Sequence, residues 1–498
     1  MDFKRYLKFL PIVIIIIIIV VIIGRCSPRC PNPEDNISGS EGYRADCEGP
    51  DPTDLTATGD SNVIDLYVLY DGEEAFQEQI QAFQSQNPGL RVEVKSFTNL
   101  SDYENLIINE LAEGEGPDVF MIHNSWMTKH LKKLTPMPVD LPVVMTSDIF
   151  RQTFFQASAT DLIVDEQIYG MPLALDNLAV YYNKPQFNDL LASANAPALL
   201  WEDIQEQVFG LTIRDNSPQR FKLAGIAMGR SDNVTYAVDI LYALMLQFGV
   251  QFYDANEQQA TFADSDVFAT DGINNPGAAA LELYTSFALP SYKHYSWNQA
   301  ITGFAPEEKD VGAFVRGDVS MILGYPQVYA QIQQSIQTAQ QLGDEHIDTD
   351  DIGVVPFPQL VNPQESTSRD TYASYYPLVV ARTSDNPRAA WSLIQFLTNA
   401  QSLQTYHNKT NRPTSRLDMV TEQQTDPLFG AFALQAPFAK SFKIYDDEAY
   451  RQIFSTAIDQ VARNLATPKE ALEEAQTKVT CVMQKEKGLI DVGTDCQI

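Results

Sequence analysis

The chain is poor in the residues on which most enzyme chemistry is built. It has five histidines among 498 residues, and His123, His130, His294, His346 and His407 show none of the spacings of a metal site. It contains no Gly-x-Ser-x-Gly elbow and no phosphate-binding loop, so neither a serine hydrolase nor a nucleotide enzyme is indicated, and no cofactor is implied. Basic residues are scarce as well. Lys and Arg number 34 against 65 Asp and Glu, a formal charge of -31, which excludes nucleic acid as a partner because phosphate recognition needs clustered cations. Paired carboxylates can hydrolyse glycosides, but among 65 acidic residues no pair stands out. No cysteine lies between Cys47 and Cys481. Outside the cytoplasm the economical pairing is Cys481 with Cys496 and Cys30 with Cys47, leaving Cys26 for lipid or a further bond; free, inert thiols are the alternative.

The N-terminus departs from this polar character. Lys4, Arg5 and Lys8 precede an Ile- and Val-rich run from Phe9 to Ile23, which must meet lipid. Basic residues before the run and acidic ones after it put the body outside the cell. Arg25, directly before Cys26, departs from a lipoprotein signal, so residues 1–24 read as an uncleaved membrane anchor, with processing or acylation at Cys26 as the alternative. Residues 25–62, rich in Pro, Gly, Ser, Asp and Glu, cannot bury enough apolar surface to fold and read as a disordered stalk.

Regular patterning begins at Val63. Val63 to Leu69 reads as a buried strand, followed by a helix with Phe76, Ile80 and Phe83 on one face. A second strand (Leu90, Val92, Val94), a helix opened by a Ser101/Glu104 capping box and ending near Gly114, and a third strand from Val119 to Ile122 follow. Alternating strands and helices predict an α/β fold with a parallel sheet, and a ligand crevice beyond the carboxyl ends of the strands, at Tyr70 to Gly72, Ser96 to Asn99 and His123 to Trp126. Farther on, Ala179 to Asn183 reads as a strand, while Trp201 to Val208, Val234 to Phe248 and Gly277 to Phe287 read as helices of a second α/β unit. Asn386 and Pro387 mark another helix start.

The run Tyr169-Gly170-Met171-Pro172-Leu173-Ala174-Leu175-Asp176-Asn177-Leu178-Ala179-Val180-Tyr181-Tyr182-Asn183-Lys184 resembles the interlobe crossing segment of the extracellular solute-binding proteins of ABC importers, in the class typified by maltose-binding protein. Gly116-Pro117-Asp118-Val119, Phe314 to Tyr325, and Ala389 to Tyr406 followed by Arg412-Pro413 resemble the same family in the same order. The resemblance implies a two-lobed periplasmic-binding-protein type II fold with a hinge and an interlobe cleft. Lobe one would take residues 61–173 and 371–410, and lobe two residues 174–370 and 411–498. It implies a monomer without catalysis that hands a small molecule, a sugar or oligosaccharide, to an ABC permease. Another small solute (a polyamine, an anion or a peptide), a surface carbohydrate-active enzyme, and an anchored sensor or adhesin are the competing readings.

Candidate ligand contacts follow from strand ends, aromatic character and the resemblance. Asp71 ends the first strand. Asn124 and Trp126 follow the third. Asp176 stands where the family carries a carboxylate for sugar hydroxyls, the alternative being a hinge cap or salt bridge. Trp126 and Trp297 lie in loop-like sequence and could stack on sugar rings, whereas Trp201 and Trp391 read as core. Gln327 stands where maltose-binding protein has a stacking Trp, and Tyr325 could substitute. Ser374, Tyr375 and Arg412 adjoin the expected crossings.

Overall fold

The computed structural model describes residues 62–191, 193–215, 220–265, 274–301, 309–361 and 369–498. The apolar run, the stalk, Cys30 and Cys47 lie outside these residues. Among the described residues no helix is long and apolar enough to cross a membrane.

Strand β1, Val63–Leu69, buries Ile64, Leu66 and Val68 completely while Val63, Asp65 and Tyr67 on its other face stay half-exposed. It pairs in parallel with β2 (Arg91–Phe97) and β3 (Val119–Met121). Helices α1 (Gln77–Gln86) and α2 (Leu100–Glu113) make the crossovers. The cap of α2 is not the expected Ser101: Asn99, in extended backbone, accepts from the amide of Asp102, and Gly114 at φ 82° closes the helix. Strand β4 (Met171–Pro172) forms the far edge of this sheet, and β5 (Ala179–Asn183) begins the second, buried at all five positions, as its unbroken apolar run requires.

The second half adds α3 (Trp201–Leu211), α4 (Ala237–Gln247) and α5 (Pro276–Ser286). Strands β6 (Met321–Gly324) and β7 (Ile352–Pro356) flank β5 antiparallel, in the order β6-β5-β7. The chain then returns through β8 (Thr371–Tyr372) to β9 (Pro377–Val380), which completes the first sheet in the order β2-β1-β3-β9-β4. Because β9 enters from the second half of the molecule, it runs antiparallel to β3, and the sheet is mixed rather than wholly parallel. Helices α6 (Pro387–Leu397) and α7 (Ala400–Thr410), strand β10 (Ala439–Lys440), and helices α8 (Asp447–Ala462) and α9 (Pro468–Glu486) follow. A disulfide between Cys481, in α9, and Cys496 ties down the C-terminus.

Two separate hydrophobic cores result. The first runs from Ile64 to Leu175 and resumes at Ala373; the second runs from Leu178 to Tyr372 and takes in α8 and α9. Met419, Ala436 and Ala439 also pack in the first core, downstream of the boundary near 411 that the sequence suggests. The chain therefore passes between lobes at Asp176-Asn177 and at Tyr372-Ala373, and alternates between them from Met419 to Ile444, with Phe432 in the second core. Bridges of Asn177 with Ala373 and Ala174 with Thr414, and the parallel pair β8–β10, lace these passages together.

Candidate ligand-binding site

The first passage puts Asp176 between the lobes with 2% exposure. Arg412, which follows α7, donates through Nη1 to Asp176 Oδ2 at 2.9 Å, and its Nη2 lies 3.3 Å from Asp71 Oδ1 at the end of β1. The Tyr406 hydroxyl donates to Asp71 Oδ2 at 2.7 Å. One guanidinium thus serves two buried carboxylates. Burial, with repulsion from Asp71, outweighs the pull of Arg412 and raises the Asp176 carboxyl to about 6. Burial opposes the charge of Arg412, yet Asp71, Tyr406 and Asp176 hold it firmly cationic. Asp176 Oδ1 is buried with no hydrogen-bond partner, an acceptor left open in a closed site.

A ring of phenols adjoins this cluster. Tyr70, at φ 67°, occupies the left-handed region that side chains rarely adopt, and its ring meets Tyr376 edge-on at 5.8 Å. Tyr376 interacts electrostatically with both Arg412 and Arg451 of α8, and its ring also meets that of His123 at 4.9 Å. Tyr236 interacts with Tyr70 and Asp176 and stands perpendicular to Tyr325 at 4.9 Å. The Tyr325 hydroxyl donates to Asp239 Oδ2 at 2.9 Å. Arg451 donates to Asp239 Oδ1 at 2.7 Å and to Asp447 Oδ2 at 2.8 Å, repeating the pattern of one arginine between two carboxylates.

Of the residues singled out in the sequence, Asp71, Asp176, Ser374, Tyr325 and Arg412 come together here. Ser374 Oγ pairs with His123 Nε2 at 2.8 Å and also reaches the Tyr325 phenol. Asn124 and Tyr375 form a bracket behind the cleft: the Asn124 amide and the Tyr375 hydroxyl both donate to Asp161 Oδ2, at 3.0 and 2.9 Å, while Ser441 donates to Asp161 Oδ1. Burial raises the Asp161 carboxyl to about 6 against these three hydrogen bonds. Trp297 requires correction. Trp297 has no exposure, and its indole N–H is satisfied by Asn233 Oδ1 at 2.8 Å inside the second core; Trp126, 8% exposed, packs in the first. Apolar burial claims the Trp297 ring, which turns into the second core.

Tyr236, Tyr376, Asp239, Asp447 and Arg451 escaped the sequence reading, whereas Tyr70 lies at one of the strand ends expected to border the crevice. Backbone alternation held one signal: Tyr375 points to the core, so its neighbour Tyr376 points the other way.

The sequence model described as bacterial extracellular solute-binding protein matches residues 71–404. Among curated proteins, a binding protein of Brucella abortus is 22% identical over 418 residues, covering 82% of this chain and 90% of the relative. The galactooligosaccharide-binding protein of Bacillus subtilis is 22% identical over 432 residues, covering 84% and 90%. Among solved structures, the sugar-binding protein MalE of Xanthomonas citri superposes with a TM-score of 0.64 at 18% identity, covering 86% of this chain and 98% of that one. An ABC transporter solute-binding protein of Thermotoga lettingae, bound with α-D-tagatose, superposes with a TM-score of 0.60 at 18% identity, covering 85% and 100%. These relatives are binding proteins, not enzymes. With a family match over most of its length, the chain belongs to the bacterial extracellular solute-binding proteins.

Proposed function

We propose that this protein captures a sugar or oligosaccharide by closing its two lobes over the Asp176–Arg412–Asp71 cluster and delivers it to an ABC importer. The observation that carries the reading is Asp176 Oδ1, a buried carboxylate oxygen without a partner at the passage between lobes, beside phenol rings. A sugar hydroxyl donates to such an oxygen, a guanidinium donates back to ring and hydroxyl oxygens, and phenol rings cover the apolar faces of the sugar. The names of two relatives, one binding galactooligosaccharides and one bound with tagatose, point the same way. Arg412, Asp71, Ser374 and Tyr325 are the further contacts we assign, with Asn124 and Tyr375 supporting them from behind.

A polyamine is the second reading, because among the described residues the four carboxylates of Asp71, Asp176, Asp239 and Asp447 pair with two arginines, Arg412 and Arg451. A thermal-shift screen of the purified full chain against neutral sugars, polyamines, oxyanions and peptides separates them. A ligand at a hundredfold excess over its dissociation constant adds about 2.7 kcal/mol of stability. A sugar hit that disappears in Asp176→Asn supports the proposal; a shift with polyamines alone replaces the sugar.

Retention at the membrane belongs to the same proposal and rests on Lys4, Arg5, Lys8 and the run from Phe9 to Ile23. Deleting residues 9–23 should release the protein from the membrane fraction, whereas Cys26→Ser should not. Release by Cys26→Ser would reveal a lipid anchor instead.

A further inference from the structure

Away from the open acceptor, the lobes are joined by contacts that need no ligand. The start of α8, on lobe two, faces the segment from His123 to Lys129, on lobe one. Lys129 Nζ donates to Asp446 Oδ2 at 2.6 Å, with side-chain exposures of 37% and 20%. One residue on, the Asp447 carboxylate comes close enough to the Ser125 hydroxyl and the His123 ring to interact with them electrostatically, while its Oδ1 makes no hydrogen bond. Those two lobe-one groups are themselves paired, His123 Nδ1 with Ser125 Oγ at 2.6 Å. On the other ring nitrogen, Ser374 links His123 to Tyr325 of lobe two. Arg451, one helical turn after Asp447, fixes that carboxylate through Nε at 2.8 Å and Asp239 through Nη1 at 2.7 Å, and Asp239 in turn holds the Tyr325 hydroxyl. One lobe-two arginine therefore positions both groups that lobe one touches.

We propose that Lys129–Asp446, with Asp447 and Tyr325 positioned by Arg451 against Ser125, His123 and Ser374, is a closure latch that sets the open–closed balance of the ligand-free protein and thereby its affinity. Every one of these contacts crosses between lobes or positions one that does, so opening breaks them together. A ligand that binds the closed form gains apparent affinity in proportion to the fraction already closed. The Lys129–Asp446 pair therefore tunes affinity without itself touching the ligand. Its operation depends on the two-lobed architecture and not on the sugar reading, so either can fail alone.

The test is the interlobe distance in the ligand-free full chain, read from a fluorophore pair introduced through unnatural amino acids at Val139 on lobe one and Leu342 on lobe two, both exposed. Lys129→Met should lower the closed-to-open ratio about threefold, the size of a partly screened ion pair, and Lys129→Arg should restore it. Raising the salt concentration should lower the wild-type ratio and leave that of Lys129→Met unchanged. Arg451→Met should open the protein further, and Arg451→Lys only partly restore closure, because an ammonium cannot hold Asp239 and Asp447 in one planar fork. Because Lys129 is partly exposed, its substitution should leave the melting temperature nearly unchanged, which separates opening from unfolding. Identical distance distributions for wild type and Lys129→Met at low and high salt would overturn the latch.

Discussion

Replacing Arg412 by Met tests how the cleft is held together. The guanidinium is the only cation within bonding distance of Asp176 and Asp71 among the described residues, and all three side chains are at most 13% exposed. Removing it leaves two buried carboxylates facing each other, the arrangement in which breaking a buried pair costs about 3–5 kcal/mol. The loss depends on pH in a definite direction. Asp176 already titrates near 6, and without Arg412 its folded-state value moves higher still, above the ordinary carboxylate value of an unfolded chain. The folded state then binds more protons than the unfolded state across that interval, so stability falls as pH rises through it and recovers on acidification toward pH 4. Urea unfolding at pH 7.5 and pH 5 should therefore show Arg412→Met strongly destabilised at the first and much less at the second. The triple variant Asp71→Asn, Arg412→Met, Asp176→Asn should regain most of the stability while still failing to bind ligand. An Arg412→Met protein as stable as wild type at pH 7.5 would refute this account of the cluster.

Asp310, buried with Oδ1 accepting from the amide and hydroxyl of Thr235, has its carboxyl raised to about 6 by burial. Asp310→Asn keeps the Oδ1 acceptor without the charge, so it should stabilise the protein at pH 7.5 by up to about 3 kcal/mol and have no effect near pH 4, as read by urea unfolding. Trp297→Phe should cost about 2 kcal/mol, through lost volume and the lost bond to Asn233, while leaving ligand affinity unchanged in a calorimetric titration; a large affinity loss at unchanged stability would return Trp297 to the cleft. Cys481→Ser opens a loop of 15 residues and should lower stability by about 3 kcal/mol, equal to the effect of reductant on wild type and not additive with it.

Much of the framework was legible because it rests on local patterns. The strand–helix alternation from Val63 to Met121 and the continuous apolar run of β5 follow from side-chain periodicity, and Asp176 and Arg412 were reachable because each adjoins a recognisable segment. The second arginine centre was not legible. Asp447 and Arg451 are four residues apart on one helix, but Asp239 is one among many carboxylates, and only the packing of α4 against α8 brings it to Arg451. Tyr70 was expected at the crevice edge, but an ordinary strand end gives no sign that its backbone enters φ 67° with the ring edge-on to Tyr376. Trp297 misled for a related reason. Loop-like sequence around Trp297 says nothing of which way the ring points, and the group that satisfies its N–H, Asn233, lies 64 residues away.

The most direct measurement is a crystal structure of the full chain bound to whichever sugar stabilises it most. The account predicts a ring hydroxyl donating to Asp176 Oδ1, Arg412 donating to a sugar oxygen while keeping its carboxylates, and a tyrosine of the cleft against the ring face. A sugar bound elsewhere on the molecule, with Asp176 Oδ1 still unpartnered between closed lobes, would contradict it.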